Sequence, residues 1–236
     1  MRGVATQASL QSVLDHYAAG DWRAERAIIT GDLIQDDSAA AYDRFRDLLL
    51  PLNMRMHCVP GNHDVRKLMR KICCAPPFSY CAFEEIGSWL IVGLDSCVTG
   101  SAGGNVAPEE LERLSKIVAG SDAEHVMVCL HHPPLAMHSA WLDSVGLDNG
   151  DEFLKHVVSL DRVRLVVFGH VHQPYDSEYC GVRIIATPST CRQFLPGSDE
   201  FAVDSRPPAY RRITLFGNGS HATELVWVDQ EQVDEE

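Results

Sequence analysis

The sequence predicts an α/β fold. Short apolar runs rich in Val and Ile recur along the chain, and amphipathic stretches of helical period separate the early ones. Composition agrees: 45% apolar and 22% charged residues are the proportions of an ordinary globular chain, and they exclude disorder, collagen and coiled coil.

Taken in order, Ser9 to Ala19 reads as the first helix, with apolar residues at 10, 13, 14 and 17 and Gly20 to close it. Ala27-Ile28-Ile29-Thr30 is the first buried strand. Ala39 to Leu50 repeats the helical pattern and stops before Pro51. Met54 to Val59 and Trp89 to Leu94 are strands. Pro108 to Val118 is a helix that carries acid in its first turn and ends before Gly120. Val126 to Leu130 and Leu165 to Phe168 are strands, with a shorter helix from Phe153 to Leu160 between them. After residue 175 only strands follow: Val182 to Thr187, Tyr210 to Leu215 and Thr223 to Val228, with Gly217-Asn218-Gly219 as a hairpin turn. Asn218-Gly219-Ser220 also matches a glycosylation sequon, but its setting reads as that turn. Residues 1–228 are expected to form one domain, and 229–236, with five acids in eight residues, an acidic disordered tail.

A chain of 236 residues buries enough surface to fold without staples. The eight cysteines (58, 73, 74, 81, 97, 129, 180 and 191) form no C-x-x-C pair, and reduced thiols are expected. No apolar run approaches the roughly 20 residues of a membrane span, and the first residues hold no apolar targeting segment, so the expected location is cytoplasmic, with no membrane partner. Twenty basic against thirty-three acidic residues give a formal charge of −13, which repels polyphosphate backbones and argues against a nucleic-acid polymer as partner. An anionic ligand would need something local to invert that field.

Four strand ends finish in polar residues of related chemistry: Gly31-Asp32, Gly61-Asn62-His63-Asp64, His131-His132-Pro133 and Gly169-His170-Val171-His172. The carboxyl ends of strands are where α/β sheets place their functional crevice. A carboxylate, a carboxamide and several imidazoles meeting there make a mixed N/O metal site. Taken singly, a Gly-Asp after a strand is more often a turn and a His-His-Pro more often a surface loop. Four such ends, each behind an apolar strand, leave that bland reading little room. His16, His57, His125, His138, His156 and His221 lack such a setting and read as ordinary surface or core residues.

Together these four blocks resemble those of the calcineurin-like metallophosphoesterases, two-metal hydrolases of phosphate esters. The resemblance runs from near Gly3 to Val228 and is closest to the bacterial class III cyclic nucleotide phosphodiesterases. Ala186-Thr187-Pro188-Ser189-Thr190-Cys191-x-Gln193-Phe194, Leu94-Asp95-Ser96 and Trp141-Leu142-Asp143 are similar to stretches of that branch. It implies a four-layer α/β/β/α sandwich of mixed sheets. It also implies hydrolysis of 3′,5′-cyclic AMP to 5′-AMP, regulating the intracellular cyclic nucleotide level.

Carried over residue by residue, the resemblance makes Asp32 a bridge between two metals, with Asn62, His131 and His170 completing one of them and His172 binding the other. The His-x-Pro register selects His131 over His132. His63 is implied to contact the phosphate and protonate or stabilise the leaving 3′ oxygen, with Asp64 orienting its ring, and Asp36 to stand behind the cluster. Asp32, Asn62, His63 and His172 would also face the substrate. Fe2+ or Mn2+ is the expected ion, with Mg2+, Co2+ and Zn2+ as alternatives. A fifth block of the family, Asp-x-His at the end of its first strand, has no counterpart; Asp15-His16 lacks the spacer and sits in a helical pattern. The resemblance would put that block before Met1, so the expected fold is N-terminally truncated and lacks its first strand, and the second ion keeps only Asp32 and His172. The alternatives are another phosphomonoester or phosphodiester hydrolase of the same superfamily, or a non-catalytic remnant with one metal.

Overall fold

A computed structural model describes residues 5–229. The acidic tail expected from 229 onward lies outside them, apart from Asp229 itself, as do Met1 to Val4. Along the chain come helix α1 (Thr6–Ala19), β1 (Arg26–Ile29), α2 (Ala39–Leu49), β2 (Arg55–Cys58), α3 (Arg66–Ile72), β3 (Phe78–Tyr80), β4 (Phe83–Ile86), β5 (Trp89–Gly93), α4 (Pro108–Ala119) and β6 (His125–Cys129). Then follow α5 (Ala140–Asp143), α6 (Gly150–Ser159), β7 (Val163–Phe168), β8 (Tyr175–Tyr179), β9 (Val182–Ala186), β10 (Gln193–Phe194), β11 (Val203–Asp204), β12 (Ala209–Leu215) and β13 (His221–Trp227).

The main sheet has six strands in the order β4-β5-β6-β7-β9-β8; the four inner strands run parallel and the two edges antiparallel. Its apolar runs are continuous because both faces are covered, and period-two alternation sorts them. Leu90, Val92, Val126, Val128, Val166, Phe168 and Ile184 face the core shared with α4 and α6. Trp89, Ile91, Met127, Cys129, Leu165, Val167 and Ile185 face a second core, against Val59 and the half-buried Ile28, Ile213 and Leu215. Strands β1-β2-β3 form a parallel three-stranded sheet and β12-β13 an antiparallel hairpin. The outer face of the smaller sheet packs on α1, α2 and α3 through Leu10, Leu14, Tyr42, Phe45 and Met69. Helices, sheet, sheet and helices thus stack as the expected α/β/β/α sandwich. β1 pairs with β2 on one edge, and among the described residues no strand pairs with the other.

Helix α6 begins at Gly150, earlier than its first apolar residue, because Asp151 and Glu152 occupy the electropositive first turn and Phe153, Leu154 and Val157 form its buried face. Ser38 caps α2 by accepting the Ala41 amide. Seven of these elements lie outside the runs read from hydrophobic patterning: β3, α5, β8, β10, β11, the basic α3, which buries only Met69, and β4, whose Glu84 and Glu85 interrupt any apolar run. All eight cysteines are free thiols, and among the described residues no helix is long and apolar enough to cross a membrane.

Glu84 links the two sheets at one end. Its carboxylate accepts from Arg26 Nε and Nη2 at 2.8 Å each, from Arg55 at 2.7 Å and contacts His57 Nε2 at 2.8 Å. The hydrogen bond from Arg26, outweighing partial burial, holds this carboxyl down at about 2 from an ordinary 4.5. Glu84→Gln should therefore cost about 1–3 kcal/mol of stability at pH 7. The stabilisation belongs to the ionised folded state, so it is present above about 4.5 and lost as pH falls toward about 2. Urea unfolding of both proteins at stepped pH should show the deficit narrowing as the medium is acidified; a constant deficit would assign it to packing.

Candidate active site

The register of the sheets brings the four polar strand ends together. Ile29 pairs with Cys58 in the small sheet, and Cys129 with Val167 in the large one. The loops that follow are joined across the sheets: His131 Nδ1 donates to Thr30 O at 2.7 Å, and Gly169 N to His131 O at 3.1 Å. Asp32, His170 and His172 all take positive φ (55°, 64° and 47°), so the backbone turns sharply to aim these side chains inward. Gly31, at φ 98°, could carry no side chain, since a Cβ would meet His131 Nδ1 at 2.3 Å. At Gly61 a Cβ would lie 2.1 Å from Asp32 Oδ1 and 2.3 Å from Asp32 N. Gly61→Ala should thus displace the carboxylate and weaken divalent-ion affinity by about 10- to 100-fold, the scale seen when a ligand's supports are lost. Mn2+ titration reads this directly, and unaltered affinity would contradict it.

Asp32 Oδ2, Asn62 Oδ1, His131 Nε2 and His170 Nδ1 converge. His131 Nε2 lies 3.5 Å from Asp32 Oδ2, 3.2 Å from Asn62 Oδ1 and 3.1 Å from His170 Nδ1, which is itself 3.1 Å from Asn62 Oδ1. Donors held about 2.0–2.2 Å from one ion stand about 3.0–3.5 Å from each other, so these four fit a divalent centre. Two protonated imidazoles could not share this space. Burial, reinforced by the neighbouring histidines, pushes His170 well below its ordinary pKa, leaving it the neutral ligand form. Asp32 stays a carboxylate: burial opposes its ionisation, but His131, the His63 amide and His63 and His172 together pull it below the usual range.

His132 joins the same cluster, with ligand nitrogens of His131, His132 and His170 within 4.8 Å. Both its nitrogens are engaged, however, Nδ1 with Ser96 Oγ at 2.8 Å and Nε2 with Ala102 O at 3.2 Å. It braces His131 and leaves the open lone pair to its neighbour. His172 is set apart from the four donors: Nδ1 donates to Arg192 O at 2.7 Å, the ring stacks on Phe194 at 4.1 Å, and burial holds it down at about 4. Its Nε2 and the shared Asp32 are the only donors the motif blocks supply to a second ion. That set does not fit one by itself.

Two expected roles are corrected. Asp64 does not orient His63: its Oδ2 accepts from Gly61 N at 2.8 Å and Leu33 N at 3.2 Å, and its Oδ1 from Tyr42 Oη at 2.9 Å. It staples the Asp32 and Asn62 loops, and burial raises it to about 6. The exposed His63 ring instead meets Gln35 Nε2 through Nδ1 at 3.2 Å. Asp36 is not behind the cluster but on the surface, paired with Arg44 at 3.0 Å and with the Ser38 hydroxyl. Asp15 and His16 lie on α1, His16 against Tyr210.

A cavity of about 440 Å³ opens over these groups. Asp32, Asn62, His63, His170 and His172 line it together with Trp141, Phe194 and Phe201. Gln35 and Phe201 were not singled out by sequence, since both sit in irregular segments without periodicity. Asp143 caps Met137 N at 2.6 Å and Ser139 N at 3.2 Å, and Gln193, wholly buried, ties Ser189 to Pro207.

Residues 6–174 match the family model described as calcineurin-like phosphoesterase. The chain is 36% identical over 223 residues to the 3′,5′-cyclic adenosine monophosphate phosphodiesterase CpdA of Vibrio vulnificus, covering 94% of this chain and 81% of that protein. It is 34% identical over 224 residues to the protein of the same name in Escherichia coli K12, covering 94% and 82%. Among solved structures, a dimetal phosphatase from Danio rerio superposes with a TM-score of 0.62 at 16% identity, covering 94% of this chain and 89% of that one.

Proposed function

The chain belongs to the calcineurin-like phosphoesterase family, and on that premise we propose that it hydrolyses 3′,5′-cyclic AMP to 5′-AMP. The observation that carries the reading is the convergence of Asp32, Asn62, His131 and His170 at 3.1–3.5 Å in a chain whose relatives are named for this activity. These four residues would hold a divalent ion, with Fe2+ or Mn2+ suiting the mixed donors. Such an ion supplies positive charge against the phosphate and makes a nearby water a stronger acid.

The protein's own groups do the rest. Asn62 is a neutral donor, so the site keeps more positive charge than a second carboxylate would leave and favours an anionic ester over the repulsion of a −13 chain. His63 reaches the cavity from an exposed position, where its imidazolium form would protonate the departing 3′ oxygen through Nε2, with the Gln35 side-chain amide holding the ring at Nδ1. His172 keeps its Nε2 lone pair open to the cavity because Nδ1 is committed to Arg192 O. Assaying the Mn2+-loaded protein with cyclic AMP and with bis-p-nitrophenyl phosphate tests the proposal. Turnover of cyclic AMP is the expected result, and turnover of the generic diester alone would remove the cyclic-nucleotide reading.

A further inference from the structure

The cavity that holds the donor cluster is also lined by three aromatic rings from three segments. Trp141 comes from α5, Phe194 from β10 and Phe201 from the turn leading to β11. The rings are mutually edge-to-face: Trp141 to Phe194 at 5.1 Å and 74°, Trp141 to Phe201 at 5.3 Å and 69°, Phe194 to Phe201 at 5.3 Å and 69°. Each such contact is a favourable quadrupole arrangement, and three closed on one another hold the rings at set angles. Phe194 is also clamped flat on His172, with 3° between the planes. The segments are tied together by Leu195 N to Ala202 O at 2.9 Å, Ala140 N to Asp199 Oδ1 at 3.4 Å and the Ser139 hydroxyl to Ser198 O.

Phe201 is nonetheless 37% exposed at the cavity, a large apolar surface left in water beside a polar centre. An aromatic cluster and an anion-binding cluster lining one cavity suit a ligand that is charged at one end and flat and aromatic at the other. The cavity's size suits a single small molecule rather than a polymer.

We propose that the Trp141–Phe194–Phe201 wall is a nucleobase subsite, stacking the base of a nucleotide whose phosphate faces Asp32, Asn62, His131 and His170. The assignment rests on the phosphodiesterase reading for the identity of the ligand, but its test is binding and needs no turnover. Calorimetric titration of the Mn2+-loaded protein with AMP and with ribose 5-phosphate compares the same phosphate with and without a base. One base stacked on an aromatic ring contributes about 1–3 kcal/mol, so AMP should bind at least about tenfold tighter. Phe201→Leu, which keeps apolar bulk at an exposed site and removes the π face, should bring that preference to within about threefold, and Phe201→Tyr should restore it. Equal affinity of the wild type for the two ligands would overturn the subsite, as would a preference untouched by Phe201→Leu. A base preference lost in Phe201→Leu, in a protein that fails to turn over cyclic AMP, would keep the subsite and discard the reaction.

Discussion

Replacing His63 with alanine is expected to lower kcat for cyclic AMP by about a hundred- to ten-thousandfold, the usual scale of lost general-acid catalysis, while metal content stays at the wild-type level. The split follows from position. The His63 ring is exposed at the cavity and bound only through Nδ1 to Gln35, whereas its backbone amide supports Asp32 Oδ1 at 3.0 Å and survives the substitution. An ester with a leaving group that needs no proton, such as a p-nitrophenyl diester, should lose far less. Equal losses on both substrates would turn His63 from a proton donor into a residue that only places the phosphate. Loss of bound metal in this variant would place the ring among the ion's ligands.

Alanine at His170 should have the opposite signature. Its Nδ1 stands 3.1 Å from both Asn62 Oδ1 and His131 Nε2, so its removal takes one donor from four. Loss of a ligand should cost more than the 10- to 100-fold of a lost supporting contact, so binding should weaken at least about a hundredfold. Activity should fall in parallel and return in part at high Mn2+ concentration. Parallel titration of the His131→Ala and His132→Ala variants separates the ligand from its brace: the first should match His170→Ala, and the second should retain more affinity.

Two of the strand-end blocks were legible because they follow β6 and β7, apolar runs buried on both faces in the middle of the main sheet; the other two follow the half-buried β1 and the mixed β2 of the smaller sheet and were legible by their polar residues instead. Glycine before Asp32, Asn62 and His170 marked the sharp turns that the positive φ values of Asp32 and His170 then display. What stayed hidden depends on distance through space. Asp64 follows His63 in the chain and so reads as its partner, but two amides and the Tyr42 hydroxyl lie within its reach and claim both its oxygens. His131 and His132 are adjacent in sequence; only Ser96, Ala102 and Thr30, from other loops, distinguish the brace from the open lone pair. The aromatic wall draws on α5, β10 and an irregular turn, which share no period. Strand β4 is set by its pairing with β5 and by the arginines around Glu84, not by apolar residues of its own.

The most direct measurement is the fate of cyclic AMP hydrolysed by this protein in 18O-labelled water, read by phosphorus NMR and mass spectrometry of the product. With His63 protonating the 3′ oxygen and water attacking phosphorus, the product is 5′-AMP carrying one 18O on its phosphate and none on the ribose. Formation of 3′-AMP, or label on the ribose, would contradict that account of the site.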